Sequence, residues 1–400
     1  MKKKIKINLK YTKNELNYYN KLSPEEQKYI KLNELSIYKH NDNNIPFRFK
    51  IFNLPIPINN KIHIINKYNI FNTLDTNNSD YHKYINYFDT LANIPFNKYH
   101  KINYSKYKNI NDYLLHSKNI LNNVMYGNNN VKNHIIELLG IFYTNKNNTP
   151  TVFGIQGPKG VGKTTLIQNG FSKCLDNRPL EIINLSGMSD SSYFKGHSFT
   201  YEGSKYGKFV EILMKYQIMN PIIYFDELDK LSNTDKGKEI MDLLIYITDP
   251  TLNNKFLDEY ISNINIDLSK CIFVFTYNNP ENICPILLDR ITELNISDYT
   301  PPQKYIICNN YILSNIYYNI GINTSKFILH KNVIKFIYDK YANNSIGLRT
   351  IKKILYILFT KINILIITNF NWKLLNIKNY KYKKKFPINI DINLVNLLLK

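Results

Sequence analysis

The stretch Gly157-Pro158-Lys159-Gly160-Val161-Gly162-Lys163-Thr164, read together with Ile222-Ile223-Tyr224-Phe225-Asp226-Glu227 further along, decides the fold. The first follows a short apolar run, Val152 to Gln156, that reads as a strand, and it opens a helix near Gly162. Glycines here let the backbone curl until successive N–H groups point inward at a phosphate, and the helix start adds its positive end. Gly157 to Thr164, with Thr165 behind them, are the expected nucleotide-binding residues. Lys163 would reach the β- and γ-phosphates, and the Thr164 hydroxyl would ligate Mg²⁺. The second stretch reads as a buried strand that delivers adjacent carboxylates at its C-terminal end, the sheet edge where ligands of α/β folds sit. Strand residues alternate sides, so the two acids are expected to do different work. Asp226 is assigned to the Mg²⁺ shell and Glu227 to the general base that polarises water. Alone, each stretch has a plainer reading, a Gly-rich turn or a solvated acidic one. Together they imply a nucleoside triphosphate site, with ATP and Mg²⁺ as the expected ligands.

Composition bounds the class. With 400 residues, 44% of them apolar, the chain can build two or three compact units with real cores. Cys174, Cys271, Cys284 and Cys308 lie far apart with no Cys-x-x-Cys spacing, which speaks against a zinc site and a disulfide framework. A reducing compartment follows. The basic start, Met1-Lys-Lys-Lys-Ile-Lys, has no apolar core behind it and does not read as a secretory signal. Ile354 to Phe370 is apolar but broken by Lys361 and Asn363, so a buried helix is expected there and no membrane span. The expected location is cytoplasmic.

The formal net charge of +21 invites a nucleic-acid partner, since lysines that neutralise phosphates release counterions whatever the base sequence. Only Arg48, Arg178, Arg290 and Arg349 among the 52 basic residues are arginine, and Asn, Ile and Tyr abound. That profile is the mark of AT-rich coding, as in the genomes of large DNA viruses and protists; for a virus the compartment becomes the host cytoplasm. Lys381 to Lys385 is the candidate basic patch. Against a lysine background, a retained arginine points to planar, forked contact with phosphate oxygens.

Residues 1–79 read as a mixed extension, with a helix from Ser23-Pro-Glu-Glu to Leu35 and a strand-like stretch Ile45 to Pro57 followed by Lys61-Ile-His-Ile-Ile. Residues 80–125 carry helical patterns at 81–92 and 110–126. From about 126 to 300, helices alternate with short apolar strands. The expected helices are 131–143, 163–174, 205–218 and 236–247; the expected strands are 151–156, 181–185, 221–226, 270–276 and 292–296. This alternation predicts an α/β fold with a parallel sheet and helices on both faces. Nine of the fourteen glycines fall between Gly154 and Gly207, around the expected phosphate site. Residues 301–400 read as a small helical domain with a last strand and helix from Phe386 to Leu399.

From residue 80 onward the chain resembles the P-loop NTPase (AAA+) module of the Lon protease family. Tyr84 to Tyr99 is similar to the neck-helix signature of Lon, and Tyr126-Gly127 with Val131-Lys132 resembles the segment beside the adenine. Phe194-Lys-Gly-His, Thr200-Tyr-Glu-Gly, Met219-Asn-Pro, Asp226-Glu-Leu-Asp-Lys and Leu287-Leu-Asp-Arg keep the family's order and approximate spacing. The resemblance implies that Asn278 orients the hydrolytic water and that Arg290 is an arginine finger given to a neighbouring subunit. It also implies that Arg349 reaches from the helical lid to its own nucleotide, and that Tyr201 grips an unfolded polypeptide. A hexameric homo-oligomeric ring is implied too, because an arginine acting in trans needs a neighbour.

Two positions depart from the pattern. Glu202 follows Tyr201 where the family usually has an apolar residue, and Lys159 stands where it usually has Pro. Asn389 to Leu399 resembles the last strand and helix of the family's lid, and the Ser-Lys peptidase domain that the family carries in its full form is not expected here. The expected activity is thus ATP-driven remodelling of polypeptides without peptide cleavage, a separate protease being a candidate partner. The competing class is a nucleic-acid motor or replication factor, motivated by the charge.

Overall fold

The computed structural model describes residues 11–40, 45–145, 151–343, 345–377 and 386–399. Lys381 to Lys385 and the basic start at Met1 lie outside the described residues. Chain packing separates Met1–Ala92 from Asn93–Lys400.

Helices Lys13–Tyr19, Pro24–His40, Phe47–Asn53, Ile58–Phe71 and Ser79–Asn93 make up the described part of the first unit. Ser23 starts the second of these with reciprocal bonds to Glu26, the backbone N–H of Ser23 donating to Glu26 Oε2 at 2.9 Å and that of Glu26 donating to Ser23 Oγ at 3.4 Å. The strand-like expectation for Ile45 to Pro57 is overturned. Pro46 and Pro57 each sit at the N-cap of a helix, where the missing N–H costs nothing and the fixed φ suits the entry. The Lys61-Ile-His-Ile-Ile run is helical for the same reason. These helices close around Phe88, whose ring centroid lies 4.6 Å from Phe47, 5.5 Å from Tyr68 and 5.6 Å from Phe71.

In the second unit, helices Ile110–Val124 and Asn129–Thr144 precede a five-stranded parallel sheet. Its strands are β1 (Thr151–Gln156), β2 (Leu180–Asn184), β3 (Ile222–Asp226), β6 (Ile272–Tyr277) and β7 (Thr292–Asn295). A short antiparallel pair, β4 (Phe256–Leu257) and β5 (Asn265–Ile266), lies between β3 and β6 in sequence. The sheet order is β2-β3-β6-β1-β7, so β1 and β3 flank β6 and both proposed nucleotide segments leave the same sheet edge. Ile222 to Phe225 and Phe273 to Phe275 are completely buried, as a central parallel strand covered on both faces demands. The helix after β1 runs from Lys163 to Cys174 and widens to π-helical geometry over Leu166–Phe171.

The lid follows Thr300. Pro301–Ile320 is one helical run with a π-helical middle at Cys308–Ile312, and helices Lys331–Tyr341, Arg349–Ile367 and Ile392–Leu398 complete it. Strands β8 (Phe327–Leu329) and β9 (Ile388–Ile390) pair in parallel, a feature the sequence reading left as helix and terminal strand. Leu355, Leu358, Phe359 and Ile362 are wholly buried, so the apolar run after Ile354 serves the lid core. Among the described residues no helix is long and apolar enough to cross a membrane. The chain's one tryptophan, Trp372, packs half-buried against this lid core.

Candidate nucleotide-binding site

Gly160 and Gly162 take left-handed backbone angles, φ 81° and 101°, which turn the loop after β1 back on itself. The lid crosses directly over this loop. Gly347, at φ 72°, passes so close that a Cβ there would lie 2.3 Å from the Lys159 carbonyl oxygen. The Leu348 N–H then donates to the Gly160 carbonyl at 3.1 Å. Below the crossing lies a cleft of about 460 Å³. Its sheet side is formed by Lys159, Gly160, Val161, Gly162, Lys163, Thr164 and Thr165 with Asp226, Glu227 and Asn278. Tyr126, Tyr299, Tyr311 and Arg349 line the rest, along with apolar lid residues. Gly157, Pro158 and Gly127 are expected site residues that flank this lining without being part of it.

Lys163 projects into the cleft, and its ammonium donates to Gly157 O at 2.5 Å, Tyr277 O at 3.2 Å and Asn278 Oδ1 at 2.9 Å. Burial pushes its pKa down, with Asp226 acting in the opposite direction. All three acceptors are neutral, which suits a cation that must exchange them for phosphate oxygens. The Thr164 hydroxyl lies 3.0 Å from the buried Tyr224 hydroxyl, and Thr276 Oγ1 donates to Asp226 Oδ1 at 2.5 Å. A hydroxyl and one carboxylate are hard oxygen ligands, the set on which Mg²⁺ is held when phosphate oxygens and water complete its octahedron. Among the described residues no group of three or more His, Cys, Asp or Glu side chains could hold a metal unaided. The residues present therefore fit a Mg²⁺ that arrives with its phosphates.

Glu227 departs from strand alternation. It has left the sheet with φ 58° and ψ 46°, so a left-handed turn, and not the pleat, separates it from Asp226. Non-glycine residues in this region carry strain and concentrate at functional sites. The Glu227 carboxylate accepts from Lys159 Nζ at 2.7 Å. Beyond it Asp229 is buried, with Oδ1 unbonded and Oδ2 facing both Lys230 Nζ and the Asn279 N–H at 3.4 Å. Asp229 thus ties the turn after β3 to the turn that carries Asn278.

Arg349 lines the cleft, whereas Arg290 does not. The Arg290 guanidinium pairs with Asp249 at 2.9 Å and donates to the Ile245 carbonyl, and its side chain remains 29% exposed. Tyr201 is likewise outside the cleft, 68% exposed on the loop between helices Ser192–Lys195 and Lys208–Tyr216. The base of that loop is tight: a Cβ on Gly207 would lie 2.0 Å from the Phe194 carbonyl oxygen.

Three groups escaped the sequence reading. Asp258, fully buried, accepts from the N–H groups of Gly207 at 2.7 Å and Tyr260 at 2.9 Å and so pins the Tyr201 loop; burial pushes its pKa up to about 7. Arg178 is buried at the far end of the sheet, donating to the carbonyls of Asn220 and, at 2.7 Å, Lys270, just ahead of β3 and β6. Its role there is to brace strands. Tyr299 donates to Val161 O at 3.1 Å and Tyr126 O at 3.3 Å, joining the phosphate loop to the segment that precedes it.

Comparison with known proteins agrees with this geometry. Residues 154–299 match the ATPase family associated with various cellular activities (AAA). A Lon protease homolog of Acanthamoeba polyphaga mimivirus is 35% identical over 370 residues, covering 90% of this chain and 34% of that protein. The mitochondrial Lon protease homolog of Homo sapiens is 30% identical over 334 residues, covering 83% of this chain and 33% of that protein. The chain thus spans about a third of the length of these relatives. Among solved structures, the extended conformation of the S. cerevisiae Hsp104:casein complex aligns with a TM-score of 0.53 at 15% identity. That alignment covers 66% of this chain and 50% of that one, and it is a likeness of fold. The parallel sheet with its phosphate loop, the family match over residues 154–299 and the Lon relatives agree: the chain carries an AAA+ module similar to that of the Lon proteases.

Proposed function

We propose that this module hydrolyses ATP with Mg²⁺ and uses the cycle to remodel or unfold polypeptides in a homo-oligomeric ring, a hexamer by family analogy. The observation that carries the reading is the meeting of Lys163, Thr164, Asp226, Glu227, Asn278 and Arg349 at one cleft, on three strand ends and the lid. Mg²⁺, when bound, would neutralise phosphate charge and orient the oxygens for in-line attack. Lys163 binds the phosphates; Thr164 and Asp226 hold the metal. Glu227 takes a proton from the attacking water, which Asn278 positions. Arg349 meets the phosphates of its own chain, and Arg290 meets those of a neighbour. In the division we adopt, 126–300 is the ATPase domain, 301–400 the lid, 80–125 the neck and 1–79 an extension.

Tyr201, exposed at its loop tip, is the proposed polypeptide contact. A separate protease would be a downstream partner, and we assign no peptide cleavage to these 400 residues. Cytoplasmic residence suits the free cysteines Cys174, Cys271, Cys284 and Cys308, and the mimivirus relative supports a host cytoplasm. The +21 charge supports a second reading, a nucleic-acid motor. An ATPase assay with casein and with DNA in parallel decides between them. Stimulation by casein supports the remodelling reading; stimulation by DNA alone, falling steeply with salt, replaces it with the second.

A further inference from the structure

Two lysines of the phosphate loop hold the two residues proposed to handle the attacking water. Lys163 donates to Asn278 Oδ1 at 2.9 Å, and Lys159 donates to Glu227 Oε1 at 2.7 Å. Lys159 stands where the resembling family usually has Pro, and its side chain is 56% exposed at the cleft. We propose that Lys159 restrains Glu227 until a γ-phosphate arrives, when the ammonium transfers to the phosphate and the carboxylate is released to the water. This inference rests on the site being an ATP site.

The physical case is a competition between acceptors. An exposed lysine–carboxylate pair is weak, because water screens it and two long side chains must be ordered. A terminal phosphate offers more charge and three oxygens to the same flexible stem. The pair is therefore strong enough to order Glu227 in the resting cleft and weak enough to yield. ADP brings no terminal phosphate to this position, so the restraint would re-form after hydrolysis. Nearby charge acts both ways: Glu227, and more weakly Asp229, hold Lys159 in the resting cleft, while Arg349, which lines the same cleft, repels it. Lys163, half-buried and held by two backbone carbonyls, is not a test of this exchange, because it is itself a proposed phosphate ligand.

The experiment uses the full chain as wild type, Lys159→Met and Lys159→Arg. Calorimetry measures Mg²⁺-dependent binding of ADP and of a non-hydrolysable ATP analogue, and steady-state assays give kcat and KM. For Lys159→Met the proposal expects analogue affinity to fall about three- to tenfold relative to ADP, with a matching rise in KM. Lys159→Arg should restore both. A fall in kcat at unchanged KM overturns the transfer, because it places Lys159 on Glu227 during the reaction. Equal loss of ADP and analogue, or no change in either, also overturns it. The affinity ratio is read whether or not wild type turns ATP over, so a protein that binds nucleotide without hydrolysis refutes the ATPase reading and still decides the role of Lys159. A wild type that binds neither nucleotide overturns both.

Discussion

Glu227 lies one position beyond Asp226, and a left-handed turn carries it out of the strand, which supports the separate role proposed for it. Glu227→Gln keeps the shape and hydrogen-bonding reach but cannot accept a proton. ATP binding should persist in calorimetry while kcat falls about 10²- to 10⁴-fold; turnover at the wild-type rate would remove the base assignment. Asp258 makes a prediction through pH. Burial raises its folded pKa to about 7 from an ordinary 3.8, so its stabilising contribution is complete below about pH 4 and lost as pH rises through 7. His100 and His134, whose pKa values burial lowers, act in the opposite sense below about pH 6.5. Comparing wild type with Asp258→Asn isolates the first effect: between pH 5 and 8 the variant's melting temperature should fall less steeply, or rise more. Parallel curves would show that Asp258 does not titrate in that window. Lys163, Thr164, Asp226 and Glu227 were legible because spacing alone marks them. Asp258 was not, since Leu257-Asp258-Glu259 has the look of a solvated turn and its burial arises where distant Gly207 meets it. Arg178 was hidden in the same way, its acceptors being carbonyls that no side-chain pattern reveals.

At the level of strands and helices, β1, β3 and β6 were readable from continuous apolar runs, and the helix at 163–174 from its glycine-rich entry. The first unit was misread where alternating apolar residues among prolines imitate a strand, although Pro46 and Pro57 each open a helix. The β8–β9 pairing could not be read, because partners of three residues each are far apart in sequence. The crossing of lid over phosphate loop was equally invisible, yet it rests on few contacts. Gly347→Ala would place a Cβ against the Lys159 carbonyl at φ 72°, costing about 1–3 kcal/mol and loosening the crossing. Thermal unfolding should show the loss and ADP calorimetry a weakened affinity; full affinity would separate the crossing from the site. Asp298 supports the same junction, accepting from the Gly347 N–H and from Lys304 Nζ, each at 3.0 Å. Because Lys304 is only 3% exposed, Asp298→Ala leaves its ammonium with the Ser345 carbonyl but no counter-charge and should destabilise by about 3 kcal/mol, the low end for a broken buried pair. Lys304→Met should cost less, since Asp298 keeps contact with water.

Across the chain as a whole, Arg290 has a proposed role that requires a second copy. It is absent from its own cleft, half-held by Asp249, and charged in a chain that otherwise relies on lysine. Arg290→Ala should leave nucleotide affinity within about twofold and lower kcat by roughly 10³- to 10⁵-fold. If the proposed ring forms, wild-type activity per subunit should rise with protein concentration; concentration-independent activity would place Arg290 outside the reaction. Trp372 offers a way to watch this happen. As the sole indole in the sequence, packed half-buried on the lid core and far in sequence from the phosphate loop, it is a built-in optical reporter. Excitation at its red edge bypasses the many tyrosines, so a change in emission colour or quenching on adding nucleotide would signal repacking of the C-terminal helices alone, with no dye attached.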